Sequence, residues 1–218
     1  MDTSYALLYT SGMSAQTFES FAATANIIPV VRRIMADHLS PVLAYRRLVA
    51  ADNRTEPSFL FESVENGDEA GRFSFLGSEP SLEVIAYENE VIVRDHIKGK
   101  EERIVVNNPL HHIRELSQEW VVSKPVATGE MPLPNFIGGW VGFAGYDTAR
   151  FFEIDMLPFS NAPKDDRNLP DLHMALYRTV VVFDHVAKIV HVIHNAMHDE
   201  NVPIENTWQE SNKELDRV

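Results

Sequence analysis

One short run of this sequence gathers unlike charges and a hydroxyl at the end of an apolar stretch: Phe59-Leu60-Phe61-Glu62-Ser63-Val64-Glu65, followed after a turn by Gly71-Arg72. An apolar strand there delivers Glu62 and Ser63 at its tip, and Arg72 returns beside them. A carboxylate, a hydroxyl and a guanidinium in one place suit a zwitterionic ligand. The carboxylate takes an ammonium, and the guanidinium takes a carboxylate. The plainer reading is a strand end whose polar groups satisfy one another, with Glu62 in a salt bridge to Arg72. On these residues alone the two readings stand level.

The other candidate groups carry less. His191, His194 and His198 lie in a β-rich stretch. Residues three apart on a strand point to opposite faces, so His191 and His194 do not face one ion. His111 and His112 open a helix with no ligand partner at metal spacing. The glycines of Gly138-Gly139-Trp140-Val141-Gly142-Phe143-Ala144-Gly145 have neither Walker nor dinucleotide spacing, and close packing of a backbone or ring is the preferred reading. No nucleophile elbow presents a serine. Asp165 and Asp166 sit in a Pro-rich loop as solvated carboxylates. No cysteine occurs, which excludes disulfides, thiolate metal sites and a cysteine nucleophile. These residues give no catalytic centre and no metal site.

Helices are expected at 18–25, at 40–49, where Ser40 caps and Pro41 takes the first position, and at 110–120. A short helix is expected at 146–153, and a polar one from Pro203 onward. Strands are expected at 58–64, 72–76, 82–87, 91–96, 103–106, 136–144, 174–184 and 188–195, with a short extended piece at 26–30. Loops fall at 123–135 and 157–170, each with several prolines. Strands outnumber helices and come mostly as hairpins. The fold class is therefore α+β, with mainly antiparallel sheets and flanking helices.

The chain has 218 residues, a hydrophobic fraction of 44% and a formal net charge of −13. That charge repels phosphate backbones and anionic membrane surfaces, so no nucleic acid and no membrane is expected as a partner. No apolar run is long enough to span a bilayer, and no basic residue precedes the first apolar stretch. A cytoplasmic location is expected.

Several motifs, in order, resemble the large subunit (component I) of anthranilate synthase, a chorismate-utilising enzyme. Leu60-Phe61-Glu62-Ser63 resembles the family's Leu-Leu-Glu-Ser element, with phenylalanine for the second leucine. Ile28-Pro29-Val30, the run from Ser40 to Tyr45, residues 71–77 (GRFSFLG), residues 138–147 (GGWVGFAGYD) and Val182-Phe183-Asp184-His185 match further elements, so the resemblance spans roughly residues 18–195. It implies the N-terminal part of that fold: an extension at 1–17, a regulatory domain at 18–200, and at 201–218 the start of a helical connection to a catalytic half absent from this chain. The full enzyme converts chorismate and an amino source to anthranilate and pyruvate. Mg2+ is bound by the absent half, ammonia comes from a glutamine amidotransferase subunit, and L-tryptophan is the feedback inhibitor. By motif match Ser63, Glu62, Leu60 and Arg72 contact the inhibitor, and the chain alone is expected to form no anthranilate. The rival readings are the sister enzyme aminodeoxychorismate synthase, a non-catalytic module that binds tryptophan or a partner, and an incomplete domain prone to self-association.

Overall fold

A computed structural model describes residues 13–35, 38–49, 56–62, 71–123 and 133–218. The chain divides into two compact units, the first drawn from Met1–Glu79, Trp120–Gly138 and Arg178–Val218, the second from Pro80–Glu119 and Gly139–Tyr177.

The first unit is built on a five-stranded antiparallel sheet of β1 (Ile27–Met35), β2 (Phe59–Glu62), β3 (Phe73–Gly77), β9 (Thr179–Asp184) and β10 (Ile189–Met197), in the order β1-β10-β9-β3-β2. Three helices, α1 (Ala15–Ala22), α2 (Pro41–Leu48) and α4 (Ile204–Arg217), complete it. Alternate strand residues Ile28, Val30, Leu76, Val181, Phe183, Val190 and Val192 form one core with Phe18 of α1, Ala44 of α2 and Leu215 of α4. The helix starts follow local chemistry. The Ser40 hydroxyl accepts from the Leu43 amide at 3.2 Å, with Pro41 at the first helical position, where its missing N–H costs nothing.

The second unit holds β4 (Leu82–Tyr87), β5 (Glu90–Asp95), β6 (Lys100–Val105), β7 (Gly139–Ala144) and β8 (Leu172–Tyr177), in the order β6-β5-β4-β8-β7 and again antiparallel. One face packs on α3 (Pro109–Ser117): Val84, Ala86, Val91 and Leu172 meet Leu110, Ile113 and Leu116, while Trp140 donates to the Ser117 hydroxyl at 2.9 Å. The architecture is the expected α+β, with antiparallel sheets and flanking helices.

Three elements differ from expectation. The strand expected at 174–184 is two strands, β8 and β9, in different sheets. No turn residue marks the break at Arg178, whose carbonyl is taken by the Asn195 amide and side chain at 2.7 and 3.1 Å. The short extended piece at 26–30 is the first half of β1, which runs on through Arg32 and Arg33 because β10 pairs with all nine of its residues. The short helix at 146–153 is a 3-10 turn over Tyr146–Phe151.

Candidate functional site

β2 is an edge strand, and its residues alternate between the two faces of the first sheet. Leu60 packs against the helix-side core. Glu62 points the same way as Leu60, is exposed, and stands opposite Ser74 of β3. Ser63 falls outside the described residues. Phe59 and Phe61 take the other face, 4.9 Å apart between ring centroids. Phe136 meets Phe59 and Phe75 edge-on at 6.3 and 5.6 Å, and Phe73 and Phe75 lie 6.0 Å apart. One face of this strand end is therefore aromatic and the other begins with a carboxylate. The period-two spacing of Phe59 with Phe61 and of Phe73 with Phe75 was visible in the sequence, but their union into one cluster was not.

Arg72 has a different carboxylate from the one the plain sequence reading gave it. Its Nε and one terminal nitrogen donate to Asp184, at 3.2 and 2.7 Å to the nearer oxygen. Asp184 is almost fully buried and also accepts from the Val186 and Ala187 amides at 3.0 and 2.9 Å. Burial is the largest single influence on this carboxyl and raises its pKa. The bonds from Arg72 and the two amides together outweigh burial and hold it below the usual aspartate value. One residue further on, His185 is bonded through Nε2 to the Ser74 hydroxyl at 2.8 Å and stacks on Phe183, with 21° between the ring planes. The turn after β9 thus ties down the start of β3 twice. Leu60 and Glu62 lie on β2, while Arg72 is held at the head of β3 by Asp184.

The histidines behave as spacing required. His191 and His194 lie on opposite faces of β10. His191 is fully buried, with neither ring nitrogen hydrogen-bonded. Burial first, then the neighbouring Arg33, lowers its pKa. His194 Nδ1 shares a hydrogen bond with the Thr179 hydroxyl at 2.8 Å. Burial and then Arg178 lower its pKa to about 4.

The second unit contains a cluster that sequence reasoning missed. Glu83, buried on β4, accepts from His96 Nε2 at 2.7 Å and His173 Nε2 at 2.6 Å. Burial is the largest influence and raises its pKa, but the two imidazole bonds prevail and leave it lowered. Among the described residues no group of three or more His, Asp or Glu side chains could hold a metal ion. Glu83 has both oxygens engaged by imidazoles, and Asp184 is engaged by Arg72 and two amides. Within the glycine run, packing accounts for Gly142, while Gly138 and Gly139 take positive φ values of 128° and 127°. A Cβ at Gly142 would lie 1.9 Å from the His173 carbonyl oxygen on the adjacent strand.

The chain is 46% identical over 199 residues to anthranilate synthase alpha subunit 1, chloroplastic, of Arabidopsis thaliana, a match covering 89% of this chain. Over that span the chain is homologous to the anthranilate synthase large subunit. Alpha subunit 2, chloroplastic, of Oryza sativa subsp. japonica is 46% identical over 201 residues, covering 90% of this chain, and anthranilate synthase component 1 of Acetivibrio thermocellus is 34% identical over 177, covering 81%. The chain spans about a third of the length of these curated relatives, 33%, 32% and 33% respectively. A solved structure of anthranilate synthase component I from Streptococcus pneumoniae TIGR4 matches 84% of this chain and 35% of its own, at 27% identity and a TM-score of 0.45. No family model matches the chain. Among the described residues no helix is long and apolar enough to cross a membrane.

Proposed function

We propose that this chain is the N-terminal regulatory part of an anthranilate synthase large subunit and carries part of its tryptophan feedback site. The whole enzyme would convert chorismate and ammonia, supplied by a glutamine amidotransferase subunit, to anthranilate and pyruvate. Residues 18–200 would form the regulatory domain and 201–218 the start of the connection to the catalytic half. Magnesium would be bound by that half. The chain alone would be inactive. The observation that carries this reading is the 46% identity to an anthranilate synthase alpha subunit over 199 residues, a span that runs through nearly the whole chain.

The strand end supports the regulatory role by its chemistry. Glu62 is an exposed carboxylate at the tip of an edge strand, available to an ammonium. Phe59, Phe61 and Phe75, with Phe136 packed against them, lie on the opposite face of the same strand pair from Glu62 and offer an apolar surface to an aromatic ring. Leu60 anchors the strand through the helix-side core, and Arg72, fixed by Asp184, stiffens its neighbour. Ser63 follows Glu62 directly in sequence. Tryptophan bound there would favour an arrangement of the enzyme that binds chorismate poorly, and inhibitor and substrate would then oppose each other reciprocally.

The test is Ser63→Arg in the full-length protein, with anthranilate formation followed at rising tryptophan concentration. The expected result is retained activity and inhibition weakened by about tenfold or more, the effect of filling a ligand pocket. Unchanged inhibition would remove Ser63 from the site.

A further inference from the structure

Each five-stranded sheet ends in two edge strands, β1 and β2 in the first and β6 and β7 in the second. An edge strand offers a row of backbone N–H and C=O groups to any other strand, and proteins blunt it with charge, proline or shortness. Three of these four edges are blunted in that way. β6 carries Lys100, Glu101, Glu102 and Arg103, β1 carries Pro29, Arg32 and Arg33, and β2 is four residues long and ends in Glu62. β7 has none of these devices. From Phe136 to Tyr146 the chain holds no charged residue and no proline, although its net charge is −13.

The register shows which groups β7 presents. Gly145 donates its amide to the Asp171 carbonyl at 2.7 Å, and these two residues continue the pairing of Ala144 with Leu172. Further along β8 the Leu176 carbonyl accepts from the Ser81 amide, so Leu176 is turned toward β4 and away from Trp140 opposite it. Bonded and unbonded pairs alternate along an antiparallel ladder. The backbones of Val141 and Phe143 therefore bond β8, while Gly142 and Ala144 point N–H and C=O away from the sheet. Both residues are exposed, and among the described residues those groups meet no hydrogen-bond partner. Their side chains are a hydrogen and a methyl, so another backbone can come close. Phe143, 48% exposed, lies between them, and Tyr146, 94% exposed, follows.

We propose that β7 is an interaction surface for a second copy of this chain, the two β7 strands pairing antiparallel about a two-fold axis at Phe143. In that register Gly142 of each copy faces Ala144 of the other, and each such pair exchanges two backbone hydrogen bonds. Phe143 meets its own copy on the axis, at an unbonded position where side chains come closest, as an aromatic cross-strand pair. The contact uses one patch on both copies, so it closes at two and joins two five-stranded sheets into one of ten strands. Charge favours a copy at this edge over any other. A chain of charge −13 repels its copy through the rest of its surface, whereas an uncharged strand sets no like charges opposite each other.

The chain has no cysteine, so a single introduced thiol reports the register without background. Phe143→Cys places two sulfurs at the axis, where opposed Cα atoms are about 4.5 Å apart and within disulfide reach. Under mild oxidation with diamide, the 218-residue chain with Phe143→Cys is expected to form a covalent dimer. Val141→Cys, which faces Gly145 of the other copy, and Val105→Cys on β6 are expected to stay uncross-linked. Sedimentation tests the contact without oxidant, with melting curves to confirm folding. Ala144→Pro removes an outward N–H without touching the ladder to β8, and Phe143→Lys sets two like charges on the axis. Each is expected to weaken dimerisation about tenfold or more, and Val105→Lys to leave it unchanged. Wild type that stays monomeric up to about 100 μM overturns the inference. So does a dimer that survives both β7 variants, a cross-link at Val141→Cys as ready as at Phe143→Cys, or growth beyond the dimer. Slow hydrogen exchange of the Gly142 and Ala144 amides in a full-length protein that sediments as a monomer gives the edge to another segment of that polypeptide, and overturns it too.

Discussion

Arg72 shows how far a single side chain can be read from sequence. Its type and place suggested a partner ten residues earlier in the same hairpin, Glu62. Its partner in the structure is Asp184, 112 residues along the chain. The choice follows from burial. Asp184 is 3% exposed and could not stay ionised there without a cation and two amides, whereas Glu62 is exposed and hydrated. The two carboxylates therefore have unequal worth. Asp184→Ala removes the acceptor of the Val186 and Ala187 amides and the carboxylate that Arg72 pairs with, and is expected to destabilise the chain by about 2–4 kcal/mol. Glu62→Ala is expected to stay within about 0.5 kcal/mol, as exposed substitutions do. Urea unfolding of the two variants measures both. A larger loss for Glu62→Ala would mean that the pairing is misassigned.

Elements were legible where their signals are local and obscure where a distant strand decides. Ser40-Pro41 marked the start of α2 because a cap and a fixed φ act within one turn. The hairpin of β4 and β5 was legible because Val91 and Val93 alternate with Ile92 and Arg94, and its turn at Glu88 takes a positive φ of 51°. The length of β1 was not legible, because β10, some 160 residues later, sets it. The division of β8 from β9 at Arg178 depends likewise on which sheet each half joins. The glycine run lies between these cases: its packing role was readable, but the particular contact was not. Gly142 lies against the His173 carbonyl, where a Cβ would come within 1.9 Å of a backbone oxygen that cannot step aside. Gly142→Ala is expected to part β7 from β8 at a cost of about 3 kcal/mol, read as a lower urea midpoint, since overpacking against backbone has no rotamer to relax through. Gly139, at φ +127° with open space around it, is expected to cost less on the same substitution, about 1–2 kcal/mol of backbone strain.

At the scale of the whole molecule, the titratable groups buried in both units bias stability in one direction. His191 and His194 are held neutral, their pKa values lowered first by burial and then by Arg33 and Arg178 respectively. An unfolded chain would protonate them near the ordinary value of 6.5, while folded His194 waits until about 4. Between those values the unfolded state binds the extra proton, so stability falls as pH falls. For His194 alone that interval is worth roughly 3 kcal/mol. Glu83, Asp184 and Glu214 have lowered values instead: hydrogen bonds from imidazoles or arginines hold them ionised. Their stabilisation is present above the ordinary values of 4.5, 3.8 and 4.5, and is lost as pH drops through the folded values beneath those. The sequence held all five residues but not their burial, so the net charge of −13 alone would have suggested a protein relieved by mild acid. The folded arrangement predicts the opposite. Urea midpoints are expected to fall in two stages, a first decline from about pH 6.5 owing to the histidines and a steeper one below about 4.5 owing to the carboxylates. His194→Gln keeps a polar group beside Thr179 but cannot take up a proton, and is expected to flatten the first stage while leaving the second. A first stage of unchanged depth in that variant would show that His194 is not held neutral by its burial.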